Sequence, residues 1–194
     1  MKVYMIRHGQ SEANIKRVYG GQCQIPLTAA GEEEAIRAGK RLEGITFDKV
    51  YTSDLIRAIR TQELCYPTEE AERLALIREM DVGELAGKPF DRCAEIYGEK
   101  FEADRVRANF APYGGEDRAM VYRRAQEFMK LLEADPRDKV AVFSHNGFIC
   151  AFCRAVMGVG PEDVTLFTNN CAVSTFVYEN GVWKVETWNY NGEL

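Results

Sequence analysis

The chain has 194 residues, 46% of them hydrophobic and 28% charged, with a formal net charge of −5. That length suits one domain with a full core and is short for two. The acidic balance and the lack of a basic block argue against a general nucleic-acid binder or a binder of anionic membranes, so a protein of this charge that handles anions must gather its cations in one site.

In chain order, Lys2 to Ile6 reads as a buried strand. The apolar stretch of the opening MKVYMIRHG is too short for a signal h-region, and the cytoplasm is the expected compartment. After a glycine-rich loop at Gly20-Gly21, Thr28 is placed to cap a helix running to about Leu42, with Ala35, Ile36 and Leu42 on its apolar side. Phe47 to Thr52 reads as a second strand, after which Ser53 or Asp54 caps a helix through about Leu64. Leu74 to Arg78 reads as a short strand. From about Leu85 to Arg118 the pattern weakens, with scattered aromatics (Phe90, Tyr97, Phe101, Phe110, Tyr113) that suit either plain core or a lid, as long weakly patterned inserts are often functional.

Tyr122 to Glu133 is helical in pattern, and Val140 to Ser144 is an apolar, β-branched strand leading into another helix. The apolar tract from Val140 to Gly160 is broken by Ser144, His145, Asn146 and Arg154, so it does not read as a membrane span. Asn180-Gly181 between Ser174–Glu179 and Val182–Trp188 is a strong type I′ hairpin signal. The alternation implies an α/β fold with a mainly parallel sheet and one antiparallel strand. The six cysteines are irregularly spaced. Cys150 and Cys153 form a C-x-x-C, which reads as two buried thiols in an apolar helix rather than a redox or metal pair.

Only two histidines are present, His8 and His145, and each follows a predicted strand. Arg57 lies one turn beyond the second strand, and Glu79 follows the short third one. Ligands of open α/β sheets bind outside the carboxyl ends of the strands, so these four converge on one edge. Arg7 and Arg57 can each donate two parallel hydrogen bonds to a phosphoryl dianion. A cationic field favours neutral imidazole at His8, which is the nucleophilic form. His145 can donate to a phosphoryl oxygen, and Glu79 can protonate a leaving alkoxide and then deprotonate water. No Asp/His cluster has metal-ligand spacing, and no cofactor is expected.

Arg7-His8-Gly9, with Asn14 six residues after the histidine, resembles the signature of the histidine phosphatase superfamily, the phosphoglycerate-mutase-like fold. Further blocks match in order: Pro26-Leu27-Thr28 with Gly31; Val50 to Leu55 with Arg57-Ala58; Glu79 with Gly83-Glu84 and Gly87; Gly115-Glu116 before a helix with Arg123; and Ser144-His145. The resemblance covers nearly the whole chain. It implies a three-layer α/β/α sandwich and a two-step, metal-free reaction. His8 becomes phosphohistidine in that reaction. Arg7, Arg57, His145 and Asn14 clamp the phosphate, with Asn146 grouped among the substrate contacts, and Glu79 is the proton donor.

Departures are Gln10 for a usual Glu, Gln24 for Asp, Asp117 for Ser, Asn146 for Gly, and Val18 for an arginine that the adjacent Arg17 would replace. The expected protein is one domain over 1–194, with 85–118 as a lid or specificity insert. Its expected activity is hydrolysis of a small-molecule phosphomonoester. A cofactor-dependent phosphoglycerate mutase and a non-catalytic phosphate-binding module are the alternatives. Between Leu85 and Arg118 the basic and acidic residues nearly balance, which does not suggest a pocket for a second phosphate. A homodimer is left open.

Overall fold

The computed structural model describes residues 1–192. Six strands, β1 (Lys2–Arg7), β2 (Lys49–Thr52), β3 (Glu72–Arg73), β4 (Lys139–Ser144), β5 (Val173–Glu179) and β6 (Val182–Tyr190), form one sheet in the order β3-β2-β4-β1-β5-β6. β3, β2, β4 and β1 pair in parallel, and β5 runs against both of its neighbours. The β5–β6 hairpin turns at Asn180 (φ 52°) and Gly181 (φ 78°), the two positive values a type I′ turn requires.

Strand alternation sets the layers. Val3 and Met5 of β1, with Val140 and Val142 of β4, face one side, while Ile6, Ala141 and Phe143 face the other. Helix α1 (Glu12–Lys16) follows the exit of β1. Helices α2 (Ala29–Arg41) and α3 (Ile56–Cys65) cover the second face. The long α4 (Phe90–Arg107) packs away from the sheet, and α5 (Arg118–Ala134) and α6 (Asn146–Met157) cover the first face. This is the three-layer α/β/α arrangement with a mainly parallel sheet.

Several sequence expectations need correction. In α2, Gly31, Ala35, Ala38 and Leu42 recur at helical spacing and are buried, whereas Ile36 lies off that stripe and is 49% exposed. The residue capping α3 is Leu55, not Ser53 or Asp54. Its first turn is supported by Gln24, whose Oε1 accepts from Ile56 N at 2.8 Å. Leu74–Arg78 is not a strand: β3 ends at Arg73 and Ala75–Ile77 forms a 3₁₀ turn.

The weakly patterned segment is mostly helix. α4 is broken at Gly98, whose φ of 70° and ψ of −160° are not helical. Cys93 and Phe101, on either side of that break, are nevertheless both buried. Cys93, Phe101, Phe110 and Tyr113 pack with Tyr19 and Leu85 into a third cluster, separate from the two sheet cores.

Candidate active site

Register brings the site together. Arg7 stands opposite Ser144, and Thr52 opposite Phe143. The next residues, His8, His145 and Ser53, therefore leave the sheet side by side. His8 and His145 are 4% and 0% exposed, with ring centroids 5.1 Å apart. His8 Nδ1 lies 2.7 Å from the Gly9 carbonyl oxygen. A carbonyl only accepts, so Nδ1 carries the proton and Nε2 the lone pair. Burial first, then the charges of Arg57 and Arg7, hold His8 well below the ordinary histidine pKa, so the ring is neutral.

His145 caps α6 at its N-terminus, where the helix dipole favours an anion. Its Nε2 is 2.8 Å from Ser53 Oγ, which accepts from Leu55 N at 3.3 Å. The serine hydroxyl can donate to Nε2, the arrangement that keeps the proton of His145 on Nδ1. Nδ1 is buried without a partner among the described residues. Burial, then Arg57, His8, Arg7 and Arg124, depress the pKa of His145 as well.

Both arginines are braced by backbone carbonyls. Arg7 Nη1 donates to the Thr168 carbonyl. Arg57 donates to the carbonyls of Cys23 at 2.8 Å and Gly21 at 2.7 Å. Carbonyl partners leave the formal charges of the guanidiniums uncancelled. Arg7 Nε is buried with no partner among the described residues. Burial lowers the pKa of each arginine, and the charge of Glu79 opposes that.

Glu79 arrives on the loop after the 3₁₀ turn rather than from a strand end. Its Oε1 accepts from Met80 N and Gly147 N, both at 2.9 Å. A Cβ on residue 147 would stand 2.3 Å from that oxygen, so glycine is required there for the carboxylate to approach α6. Behind the loop, Arg124 donates to the carbonyls of Leu76 (2.7 Å), Arg78 (3.0 Å) and Glu79 (3.3 Å). Arg124 also forms a two-pronged ion pair with Glu116. The sequence match singled out Arg123; the residue that holds the loop is Arg124.

A cavity of about 380 Å³ is lined by six of the seven residues expected at the site; the seventh, the fully buried His145, is not among its lining residues. Asn14 Oδ1 accepts from the backbone and hydroxyl of Ser11, which leaves its amide nitrogen as the free donor. Asn146 Oδ1 accepts from Thr168 N at 2.9 Å and so ties α6 to the carbonyl that braces Arg7. Phe90 and Phe110, two of the aromatics that suited a lid, line the cavity, and so do Tyr19, Arg118 and Arg154, which the sequence did not single out for the site. Among the described residues no three His, Cys, Asp or Glu side chains cluster as metal ligands. No helix among them is long and apolar enough to cross a membrane.

The family model described as histidine phosphatase superfamily (branch 1) matches residues 3–191. The chain belongs to the histidine phosphatase superfamily. Among its relatives in that superfamily is an uncharacterized phosphatase, PhoE, of Bacillus subtilis, 26% identical over 99% of this chain and 96% of the relative. A probable phosphoglycerate mutase, GpmB, of Klebsiella pneumoniae is 28% identical over 97% of this chain and 90% of its own length. Among solved folds, a putative alpha-ribazole-5'-P phosphatase from Escherichia coli superposes with a TM-score of 0.90 at 24% identity, covering 98% and 97% of the two chains. A mycobacterial glucosyl-3-phosphoglycerate phosphatase superposes with a TM-score of 0.87 at 23% identity, covering 97% and 98%.

Two departures from the superfamily pattern resolve structurally. Asp117 keeps the helix-capping job of a serine, accepting from Met120 N at the start of α5. Arg17 does not replace the arginine missing at Val18. It is 73% exposed in its side chain, lies 4.0 Å from Asp91, and does not line the cavity, whereas Val18 does.

Proposed function

We propose that this histidine phosphatase superfamily member hydrolyses a small phosphomonoester through phosphohistidine on His8. The observation that carries the reading is the His8 tautomer: a neutral ring, its proton tied to the Gly9 carbonyl, with a lone pair on Nε2. In the first step Nε2 attacks phosphorus, the bond to the ester oxygen breaks, and Glu79 gives that oxygen its proton. In the second, water attacks phosphorus, Glu79 takes the proton, the P–N bond breaks, and phosphate leaves. Arg7, Arg57 and His145 Nδ1 meet the phosphoryl oxygens. Arg7 Nε and His145 Nδ1, two donors otherwise unpartnered, gain acceptors there. Asn14 adds its free amide, and Asn146 supports the clamp through Thr168. Residues 85–118 act as the specificity insert, covering the cavity with Phe90 and Phe110.

The test is phosphate release from a panel of phosphomonoesters with chelator present, in the native chain and in His8→Ala. Turnover should survive chelation and disappear in His8→Ala, and trapping by alkaline quench, which spares the acid-labile P–N bond, should detect phosphohistidine in the native chain alone. Turnover persisting in His8→Ala would sink the assignment. In Glu79→Gln, alkyl phosphates should slow more than aryl phosphates, whose leaving groups need less protonation; equal losses would point to another acid. The relatives named as probable phosphoglycerate mutases favour a second reading. Interconversion of monophosphoglycerates primed by 2,3-bisphosphoglycerate would establish it. Val18 in the cavity and Arg17 turned away from it speak for the phosphatase.

A further inference from the structure

The cavity has a second cationic end that the reaction above does not use. Arg118 at the start of α5 and Arg154 near the end of α6 both line it. Arg154 is 6% exposed. Among the described residues its one hydrogen bond is from Nε to the Val164 carbonyl at 2.7 Å, with no carboxylate partner. Arg118 lies 3.4 Å from Glu162, a carboxylate that is 59% exposed. Burial lowers the pKa of Arg154, and the charge of Arg118 adds to that, so the two guanidiniums feel one another. Two like charges beside a low-dielectric wall repel unless an anion joins them. Arg118, Arg154 and Glu162 together carry one net positive charge, which matches a carboxylate better than a phosphate dianion.

The two ends are joined along one helix. Asn146, Cys150 and Arg154 recur at four-residue spacing on α6 and all three line the cavity. Eight residues of helix span about 12 Å, and helical side chains lean back toward the N-terminus, so the second anion lies within about that distance of the phosphoryl site. Cys150 between them is an uncharged wall: burial pushes its thiol up to about 12. Leu166 and Phe110 flank the same cavity, which suits an apolar or neutral linker between the charged ends.

We propose that the substrate is a phosphomonoester carrying a carboxylate at its far end, gripped by Arg118 and Arg154. This rests on the reading of the His8 end as the phosphoryl site. The test compares ω-carboxyalkyl phosphates with ω-hydroxyalkyl phosphates of equal length, and with α,ω-alkyl bisphosphates, over increasing chain length. The native chain should favour the carboxylates about 10- to 100-fold in kcat/KM, through KM, as for a charged hydrogen-bonded pair. That ratio should collapse toward one in Arg154→Gln and in Arg118→Gln, the second being the less buried site and the safer for folding. Arg154→Lys should keep part of it.

No preference in the native chain, or a ratio unchanged in both variants, overturns the proposal. Parallel losses on both esters also overturn it, as a merely structural role would. A preference for bisphosphates assigns the end to a second phosphoryl group instead. Calorimetric binding to His8→Ala protein separates the two readings. Tighter binding of the carboxylate ester there, lost when Arg154→Gln is added, upholds the second anion site even if the native chain releases no phosphate.

Discussion

At the His8 end of the cavity, Arg7, His8 and His145 sit at the ends of strands whose register is fixed by backbone ladders buried under helices on both faces. Elsewhere on the cavity wall, Phe90 and Phe110 come from a segment with its own small aromatic cluster and a helix broken at Gly98. The first construction fixes its side chains through strand pairing. The second packs Tyr19, Phe101 and Tyr113 on one another, with Met80 touching both this cluster and the sheet core. The two regions thus rest on different apolar clusters.

The sharpest way to break that separation is Phe101→Ala. Phe101 is fully buried with its ring among Tyr19, Tyr97 and Tyr113, and its loss should destabilise by about 3–5 kcal/mol. Hydrogen exchange should quicken across residues 90–113 while the β1 and β4 amides stay protected. Equal loosening of those strands would mean one cooperative core. At the other end, His145→Gln should lower kcat about 10²- to 10³-fold, or roughly 3–4 kcal/mol of transition-state stabilisation, with little change in Tm. A large fall in Tm would recast His145 as a structural residue.

A pH titration separates the ends again, since both histidines lie at one of them. Each has a folded pKa below its unfolded value of about 6.5, so the unfolded chain takes up protons first as pH falls. Stability should therefore be fully present above about pH 6.5 and decline below it, by up to about 1.4 kcal/mol per pH unit for each ring. Denaturant midpoints against pH measure this, and imidazole NMR signals that titrate near 6.5 in the folded chain would contradict it. The smallest effect is expected for Gly98→Ala. Nothing lies within 4 Å of the added methyl, so the cost is backbone strain alone, about 1–3 kcal/mol, confined to the α4 segment. An unchanged melting profile would show that the break in α4 shifts freely.

Legibility in the sequence followed the same division. His8, Arg7, Arg57 and His145 were readable because each sits beside a short apolar strand in a local motif. Glu79 was readable as a carboxylate but not its delivery: a run as short as Leu74–Arg78 suits a strand or a 3₁₀ turn equally. Ser53 looked like a helix cap and serves His145 instead, because the first turn of α3 is met by Gln24 from a distant loop. Arg154 was hidden in an apolar tract, and counting charges over 85–118 missed it because the second cationic end draws on two separate helices. The α4 segment was missed although Cys93, Tyr97 and Phe101 recur at four-residue spacing, because the charged residues and Gly98 between them dilute the pattern.

The bracing of Arg7, Arg57 and the half-buried Arg124 has a consequence for how such a protein can drift. Arg7, Arg57 and Arg124 all lean on main-chain oxygens, at Thr168, at Cys23 and Gly21, and at Leu76, Arg78 and Glu79. Every amino acid brings the same carbonyl. Positions such as Cys23 and Leu76 can therefore change identity over evolutionary time without withdrawing a single one of these supports, provided the path of the chain is kept. Ancestry at such a centre is written in backbone trace more durably than in letters.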